Sequence, residues 1–205
     1  MDKKDQYRLA IDLLREGGVA AMPTDTVYGL IAVAADDGAV RRVYQVKGRH
    51  HDQPLPLFVG SVEQAELISD MPESARRLAE RFWPGALTIV VPKRIAYRTL
   101  ASARADTIGV RVPDDPALRE IAAQLGPLTA TSANRSGEPE CRSAAEVRAQ
   151  LGDAVDVIVD ASIRPDAAPS TVVDCTDPRG VRIVREGALE RETIAGALAG
   201  VSALI

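Results

Sequence analysis

The chain has 205 residues, of which 46% are hydrophobic, 26% are charged and 3% are aromatic, and its formal charge is 25 − 29 = −4. This length suits one substantial hydrophobic core, built from Val, Ile, Leu and Ala, and is marginal for two domains. The negative charge argues against a protein that binds nucleic acid over its whole surface, and the absence of a long apolar run or a signal-peptide pattern predicts a cytoplasmic protein.

The predicted elements begin with an amphipathic helix, whose apolar positions are Tyr7, Ala10, Ile11 and Leu14 and which Gly17-Gly18 ends. Apolar and β-branched runs predict strands at 19–22, 27–34, 55–59, 87–91, 108–112, 128–131, 155–159, 171–174 and 181–184. Several intervening helices are preceded by N-capping residues, which are Asp36 or Asp37, Ser61, Asp115 and Ser143. A helix is also predicted at 72–82, a long polar loop at 93–106, and a last helix after Glu190.

Helices and strands are mixed along the chain, but some neighbouring strands have no helix between them, as at 19–22 and 27–34. Strict βαβ alternation therefore fails, and a purely parallel sheet is not expected. The pattern predicts a mixed α/β (α+β) fold, a single three-layer domain of residues 1–205 built around a twisted mixed sheet.

The cysteines and histidines do not predict a metal centre. Cys141 and Cys175 lie far apart and form no CxxC pair, which favours two reduced thiols over the alternative of one disulfide. His50 and His51 are the only histidines, and adjacent positions are a poor spacing for one metal site. The sequence therefore argues against a zinc enzyme.

Standard nucleotide-binding and hydrolase motifs such as GxxxxGK[ST], GxGxxG and GxSxG are absent, so they give no argument for ATP use. Polar residues are instead concentrated in three segments at predicted strand and helix ends, where α/β proteins bind ligands. The segments are 22–30 (MPTDTVYGL), 47–51 (KGRHH) and 129–137 (TATSANRSG).

Each segment has a functional and a purely structural interpretation. Thr24, Asp25 and Thr26 offer hydrogen bonds to a small polar ligand, or they satisfy the backbone of their own turn. Lys47 and Arg49 bind phosphate, or they are the cations expected at a helix C-terminus. The segment 129–137 holds a phosphate or carboxylate, or it forms a capping turn before the next helix.

Taken together and in order, these segments resemble the YrdC-like family of threonylcarbamoyl-adenylate synthases. The resemblance extends over roughly residues 8–190 and is to the family's short form, without an extra C-terminal domain. It is carried by 23–30, Lys47-x-Arg49, 83–88 (WPGALT), 110–113 (VRVP), Ser132-Ala133-Asn134, 169–174 (PSTVVD) and 184–187 (VREG).

The resemblance implies a concave ligand cavity and a nucleotidyl transfer. L-threonine, bicarbonate and ATP would give threonylcarbamoyl-AMP and pyrophosphate, and the product would serve threonylcarbamoyladenosine modification of tRNA. Mg²⁺ would arrive with ATP, without a dedicated protein site. The implied partners are the transferase complex that accepts the adenylate and, more weakly, the tRNA itself, with no membrane contact.

The resemblance also implies roles for individual residues. The catalytic set is Lys47, Arg49, Ser132 and Asn134. Contacts to ATP are implied for Lys47, His51, Thr107, Ser132, Glu140 and Arg185. Contacts to threonine are implied for Thr24, Arg111, Ala130 (through its backbone) and Ser170. Phe58 departs from the family pattern, because relatives often carry a histidine there.

Three alternatives remain open at this stage. They are a paralogue with the same fold and another nucleotide-dependent reaction, a non-catalytic RNA-binding module, and a metabolic α/β enzyme of unknown substrate. The labile carbamate also calls for a closing loop, for which 93–106 and 160–169 are the candidates.

Overall fold

A computed structural model describes residues 2–161, 163 and 168–205. The α-helices in these ranges, numbered in chain order, are α1 (Lys3–Arg15), α2 (Asp37–Lys47), α3 (Val62–Ile68), α4 (Glu73–Phe82), α5 (Pro116–Leu125), α6 (Ala144–Leu151) and α7 (Arg191–Leu198). The strands are β1 (Ala20–Met22), β2 (Gly29–Ile31), β3 (Leu57–Phe58), β4 (Leu87–Pro92), β5 (Thr107–Arg111), β6 (Leu128–Thr129), β7 (Thr131–Ser132), β8 (Val157–Ile158), β9 (Thr171–Asp174) and β10 (Arg182–Arg185).

Local capping chemistry sets the ends of α2, as the sequence predicted. Asp36 Oδ1 accepts hydrogen bonds from the backbone N–H groups of Gly38 and Ala39, at 2.8 and 3.0 Å. Gly48 adopts the left-handed conformation (φ 63°) and ends the helix. Lys47 is therefore the last residue of α2, and the chain turns sharply before Arg49.

The strands form two sheets rather than the single sheet expected from sequence, while the mixed α/β class is confirmed. The first sheet has the order β7-β2-β1-β8 and the second the order β10-β9-β4-β5-β3-β6, and both contain parallel and antiparallel pairs. The predicted strand 128–131 is divided at Ala130, whose N–H donates to Pro56 O at 2.8 Å. β6 then pairs with β3, and β7 pairs with β2, so this interruption assigns neighbouring residues to different sheets.

The core is mainly aliphatic, as the scarcity of aromatic residues predicted. A large cluster of buried side chains contains Leu30, Leu57, Leu87 and Ile89 together with the fully buried Tyr28. A smaller cluster packs α1 and α5 against strands of both sheets. Both cysteines are buried and free.

The polar segment 93–106 is tied to the body of the protein, which weakens its candidacy as a closing loop. It contains a short 3₁₀ helix, Leu100–Ser102, whose Ala101 and Ser102 are buried. Thr99 Oγ1 donates to Ala34 O at 2.6 Å, and Ala101 O accepts from Leu55 N. The other candidate, 160–169, lies partly outside the described residues. None of the described helices is long and apolar enough to cross a membrane.

Candidate active site

Strands of both sheets and the loops that follow them enclose a cavity of about 410 Å³. Its charged lining residues are Lys47, Arg49, Arg111, Glu140 and Arg185. Its hydroxyl-bearing lining residues are Thr24, Thr26, Tyr28, Thr88, Thr107, Thr131, Ser132 and Ser170. Among the described residues, four cations and one carboxylate line the cavity of a chain whose net charge is −4, which makes the cavity a local site for anions.

The alternation of β5 opens the floor of this cavity. Thr107, Gly109 and Arg111 alternate along β5 and all line the cavity, as does the largely buried Ile108, whereas Val110 is fully buried in the core. A Cβ atom at Gly109 would lie 3.2 Å from Pro56 Cβ, so a glycine keeps space between Thr107 and Arg111. Arg111 therefore faces the cavity, as the sequence pattern allowed.

Lys47 reaches from the end of α2 to the turn after β7. Its Nζ donates to Ser132 O at 2.7 Å, to Asn134 Oδ1 at 3.0 Å and to Asn134 O at 3.2 Å, and Ser132 Oγ lies 3.3 Å away. Lys47 is only 4% exposed. Burial, together with the neighbouring Arg49, lowers the pKa of Lys47 to about 8, and Glu140 opposes that shift.

Asn134 supports Lys47 from outside the cavity. Its Nδ2 donates to Arg135 O at 3.0 Å and to Glu138 O at 2.6 Å, which leaves Oδ1 directed at Lys47. Asn134 is not among the lining residues, whereas Ser132 is. The amide therefore orients Lys47 rather than facing a ligand.

Arg49 follows the turn at Gly48 and lines the cavity near Lys47. Its guanidinium donates to Pro54 O at 3.0 Å and to Gln53 O at 3.4 Å, so the 49–54 turn holds it. Burial lowers the pKa of Arg49. Arg49 remains cationic at neutral pH, because arginine does not lose its proton in proteins.

Arg111 is only 4% exposed and is held on several sides. Its NH2 forms an ion pair with Asp25 Oδ1 at 2.6 Å, and its Nε donates to Gly85 O at 2.8 Å. The guanidinium carbon lies 5.4 Å from the centre of the Phe58 ring, within the range of a cation–π contact. Burial lowers the pKa of Arg111, whereas Asp25 opposes that shift.

Ser170, Thr88 and Arg185 form a second polar group in the same cavity. The Ser170 and Thr88 hydroxyls lie 3.0 Å apart, and Arg185 NH2 donates to Ser170 O at 2.8 Å and to Ser170 Oγ at 3.2 Å. These residues come from β4, the loop before β9 and the end of β10. The sequence identified Ser170 and Arg185 and missed Thr88, which stands 82 residues from Ser170.

Thr24 lines the cavity, but its hydroxyl is fully occupied within its own turn. It donates to Val27 O at 2.7 Å and accepts from Thr26 N–H at 3.0 Å. Because the single Thr24 proton is used by Val27, the 2.9 Å contact between the two threonine hydroxyls has Thr26 as its donor. A contact between Thr24 and a ligand would have to use its methyl group or backbone.

Ten of the twelve residues singled out from the sequence line the cavity, and Asn134 and His51 do not. His51 is exposed, and its ring lies 4.7 Å from that of Tyr44. The backbone N–H of Ala130 is engaged by Pro56 O, so a ligand contact from Ala130 would use its carbonyl. Asp25 belonged to a polar segment noted in the sequence, but no local pattern could pair it with Arg111, 86 positions away.

Comparisons with known proteins identify the family of this chain. The Sua5_yciO_yrdC family model, described as telomere recombination, matches residues 12–187. A threonylcarbamoyl-AMP synthase of Pyrococcus abyssi is 40% identical over 191 residues, which are 92% of this chain and 56% of that protein. One of Chromohalobacter salexigens is 39% identical over 173 residues, which are 83% of this chain and 92% of that protein.

A solved structure shows the same fold. The crystal structure of P. abyssi Sua5 complexed with L-threonine matches with a TM-score of 0.89 and 36% identity, covering 100% of this chain and 60% of that one. The chain thus spans little more than half the length of its P. abyssi relative. The family match and the identities over most of the chain show that this protein belongs to the Sua5/YciO/YrdC family.

Proposed function

We propose that this chain is an L-threonylcarbamoyladenylate synthase, which converts L-threonine, bicarbonate and ATP to threonylcarbamoyl-AMP and pyrophosphate. One observation carries the proposal: four cationic side chains and a series of hydroxyls converge on a single cavity of about 410 Å³. All three substrates are anionic or carry a carboxylate, so bringing them together requires positive charge and fixed hydrogen-bond donors. Relatives named for this activity support it.

In this proposal the phosphate groups of ATP lie at the Lys47 end of the cavity. Lys47 supplies a compact charge beside the phosphates while Ser132 and Asn134 accept its three N–H groups. Arg49 supplies a planar fork for the phosphate oxygens. Ser132 adds a hydroxyl, and Asn134 orients the ammonium group. Glu140 and Thr107 line the same cavity and are further proposed contacts to ATP.

The amino acid would lie at the Arg111 end. The Arg111 guanidinium would bind the carboxylate of threonine, and the Ser170 and Thr88 hydroxyls would address its polar groups. Arg185 touches Ser170 and influences Arg111 electrostatically, so it lies close to both. Arg185 is therefore suited to contact an anionic group that lies between the Lys47 end and the Arg111 end of the cavity.

The chemistry requires no protein nucleophile. The threonine amine forms an N–C bond to the carbon of bicarbonate, with loss of water, and gives a carbamate. A carbamate oxygen then forms a bond to the α-phosphorus of ATP, and the bond to pyrophosphate breaks. Positioning of reactants can contribute roughly 7–11 kcal/mol to such a reaction, and the protein residues above supply that positioning and offset charge repulsion.

Mg²⁺ fits this arrangement as a companion of ATP. The described residues contain no group of three or more His, Cys, Asp and Glu side chains that could hold a metal ion. Mg²⁺ in nucleotide sites takes one or two carboxylates besides phosphate oxygens, and within the described ranges Glu140 is the carboxylate that lines the cavity. Bound there, the ion would neutralise phosphate charge.

The proposed partners follow from the fate of the product. A tRNA-modifying transferase complex would accept the adenylate, and any contact with tRNA would be weak because the chain carries a net negative charge. Binding to tRNA that is strong and insensitive to salt would contradict this part of the proposal.

The proposal is tested by pyrophosphate release from the purified chain. Release should require ATP, L-threonine and bicarbonate together, and omission of any one should abolish it. Lys47→Met should reduce release at least about 100-fold, whereas Lys4→Met, at an exposed position of α1, should not. Release without threonine or bicarbonate would point to another nucleotide-dependent reaction, and no release would refute the activity.

A further inference from the structure

Three hydrogen bonds and one aromatic ring hold the side chain of Arg111. Asp25 binds NH2 at 2.6 Å, Thr26 Oγ1 lies 3.3 Å from NH1, and Gly85 O binds Nε at 2.8 Å. The Phe58 ring lies 5.4 Å from the guanidinium carbon. A guanidinium has five N–H donors, and the contacts within the described part of the chain use three of them, so two are left for a ligand there.

A chain of hydrogen bonds connects Arg111 to the turn 24–27, and each hydroxyl in it accepts from one neighbour and donates to the next. Thr26 Oγ1 accepts from Arg111 and donates to Thr24 Oγ1, and Thr24 donates in turn to Val27 O. Thr26 N–H also donates to Thr24 Oγ1, so the Thr24 hydroxyl has no capacity left. The turn 24–27 therefore presents an acceptor to Arg111 and resists reorientation of the Thr26 hydroxyl.

Asp25 has the position of a support rather than of a ligand contact. Its side chain is 4% exposed, and Asp25 is not among the residues that line the cavity, whereas Arg111 and Thr26 are. An isolated charge buried to this degree is costly, and each partner of the pair offsets the cost for the other. Asp25 therefore contacts Arg111 rather than the space that a ligand would occupy.

We propose that Asp25 and Thr26 are positioning residues that aim the two remaining N–H donors of Arg111 at the carboxylate of the amino-acid substrate. Asp25 holds NH2 by an ion pair, and Thr26 holds NH1 by accepting a hydrogen bond. The Thr24 hydroxyl accepts the proton of the Thr26 hydroxyl and so keeps that hydroxyl in one orientation. This inference rests on the proposed function, because it assigns the carboxylate that Arg111 binds. It extends that function because the affinity for the amino acid would then depend on the turn 24–27, which connects β1 and β2.

A double-mutant cycle separates positioning from direct contact. We expect Asp25→Ala to weaken L-threonine binding, measured by calorimetry, by about tenfold or more, since hydrogen bonds to charged groups are the strong ones. ATP binding should change less than about twofold, because Arg49 and Lys47 are untouched. In an Arg111→Leu background, adding Asp25→Ala should cause no further loss. A further loss as large as that in the wild-type background would show that Asp25 contacts the substrate and would overturn the inference.

Two more variants keep the test decisive if Asp25→Ala does not fold. Thr26→Val has nearly the same shape and removes the acceptor for NH1, and we expect it to weaken threonine binding by roughly 2- to 12-fold. Wild-type affinity in Thr26→Val would overturn the positioning role. The matched control is Asp12→Ala, which removes an exposed ion pair with Arg15 and should leave both affinities unchanged.

L-threonine binding tests the positioning role, whereas pyrophosphate release tests the proposed reaction. A wild-type chain that binds L-threonine but releases no pyrophosphate would refute the proposed reaction and leave the positioning test intact. A wild-type chain that does not bind L-threonine would overturn both.

Discussion

The prediction that depends most directly on the packing concerns Gly187, two positions after Arg185. A Cβ atom at this position would lie 2.3 Å from Pro169 O and 2.7 Å from Ser170 O. Real Cβ atoms essentially never approach closer than 3.0 Å, and here the obstacles are backbone atoms. Gly187→Ala therefore forces the Pro169–Ser170 backbone away by roughly 0.7 Å, the difference between 3.0 and 2.3 Å.

That displacement acts on the amino-acid end of the cavity. Ser170 O and Oγ both accept from Arg185, at 2.8 and 3.2 Å, so moving the Ser170 backbone disturbs both contacts. A misplacement of about 1 Å can cost about 100-fold in rate, and we expect kcat/KM for L-threonine to fall by about that factor. The assay is bicarbonate-dependent pyrophosphate release at saturating ATP, performed at least about 10 °C below the thermal midpoint of each variant.

Gly196→Ala is the matched control, because it makes the same substitution within α7 where a Cβ atom would meet nothing within 4 Å. It should leave kcat/KM unchanged and raise stability slightly, since alanine is the better helix former. Wild-type threonine kcat/KM in folded Gly187→Ala would refute the claim that this close approach sets the position of Ser170.

Two further predictions concern Lys47 and Ser170. Because the pKa of Lys47 is lowered to about 8, its ammonium group is mostly charged at pH 7, about half charged at pH 8 and mostly neutral at pH 9. The ATP dissociation constant, measured without threonine, should therefore rise about tenfold from pH 7 to pH 9, and a flat profile would contradict the assignment. The wild-type site should reject valine, because valine leaves the buried Ser170 hydroxyl without the partner that threonine offers, at a cost of about 1–3 kcal/mol. Ser170→Ala removes that hydroxyl and should narrow the preference for threonine over valine in pyrophosphate release. The expected wild-type order is threonine, then serine, then valine, and equal use of valine and serine would show that the hydroxyl is not recognised.

The features that sequence predicted well are those fixed by neighbouring residues. Asp36 and Gly48 set the ends of α2 through contacts within a few positions, so the location of Lys47 followed from local chemistry. The mixed α/β class followed from the succession of apolar runs. The resemblance compares the whole order of the motifs, and ten of the residues that it singled out lie in the cavity lining, while their roles stay predictions.

The features that sequence missed depend on distant contacts. The ion pair between Asp25 and Arg111 joins positions 86 apart, and the division into two sheets depends on a hydrogen bond from Ala130 to Pro56. The saturation of the Thr24 hydroxyl was present in the sequence only as one of two interpretations of a polar turn. Its outcome depends on atomic distances that residue type alone does not determine.

The central claim is most directly tested by following the carbon of bicarbonate into the product. The purified chain is incubated with ATP, L-threonine and ¹³C-bicarbonate, and the nucleotide products are identified by mass spectrometry. The account predicts threonylcarbamoyl-AMP that carries the ¹³C label, formed together with pyrophosphate and not formed by Lys47→Met. Unlabelled threonyl-AMP, or ADP and phosphate in place of AMP-linked product, would contradict it.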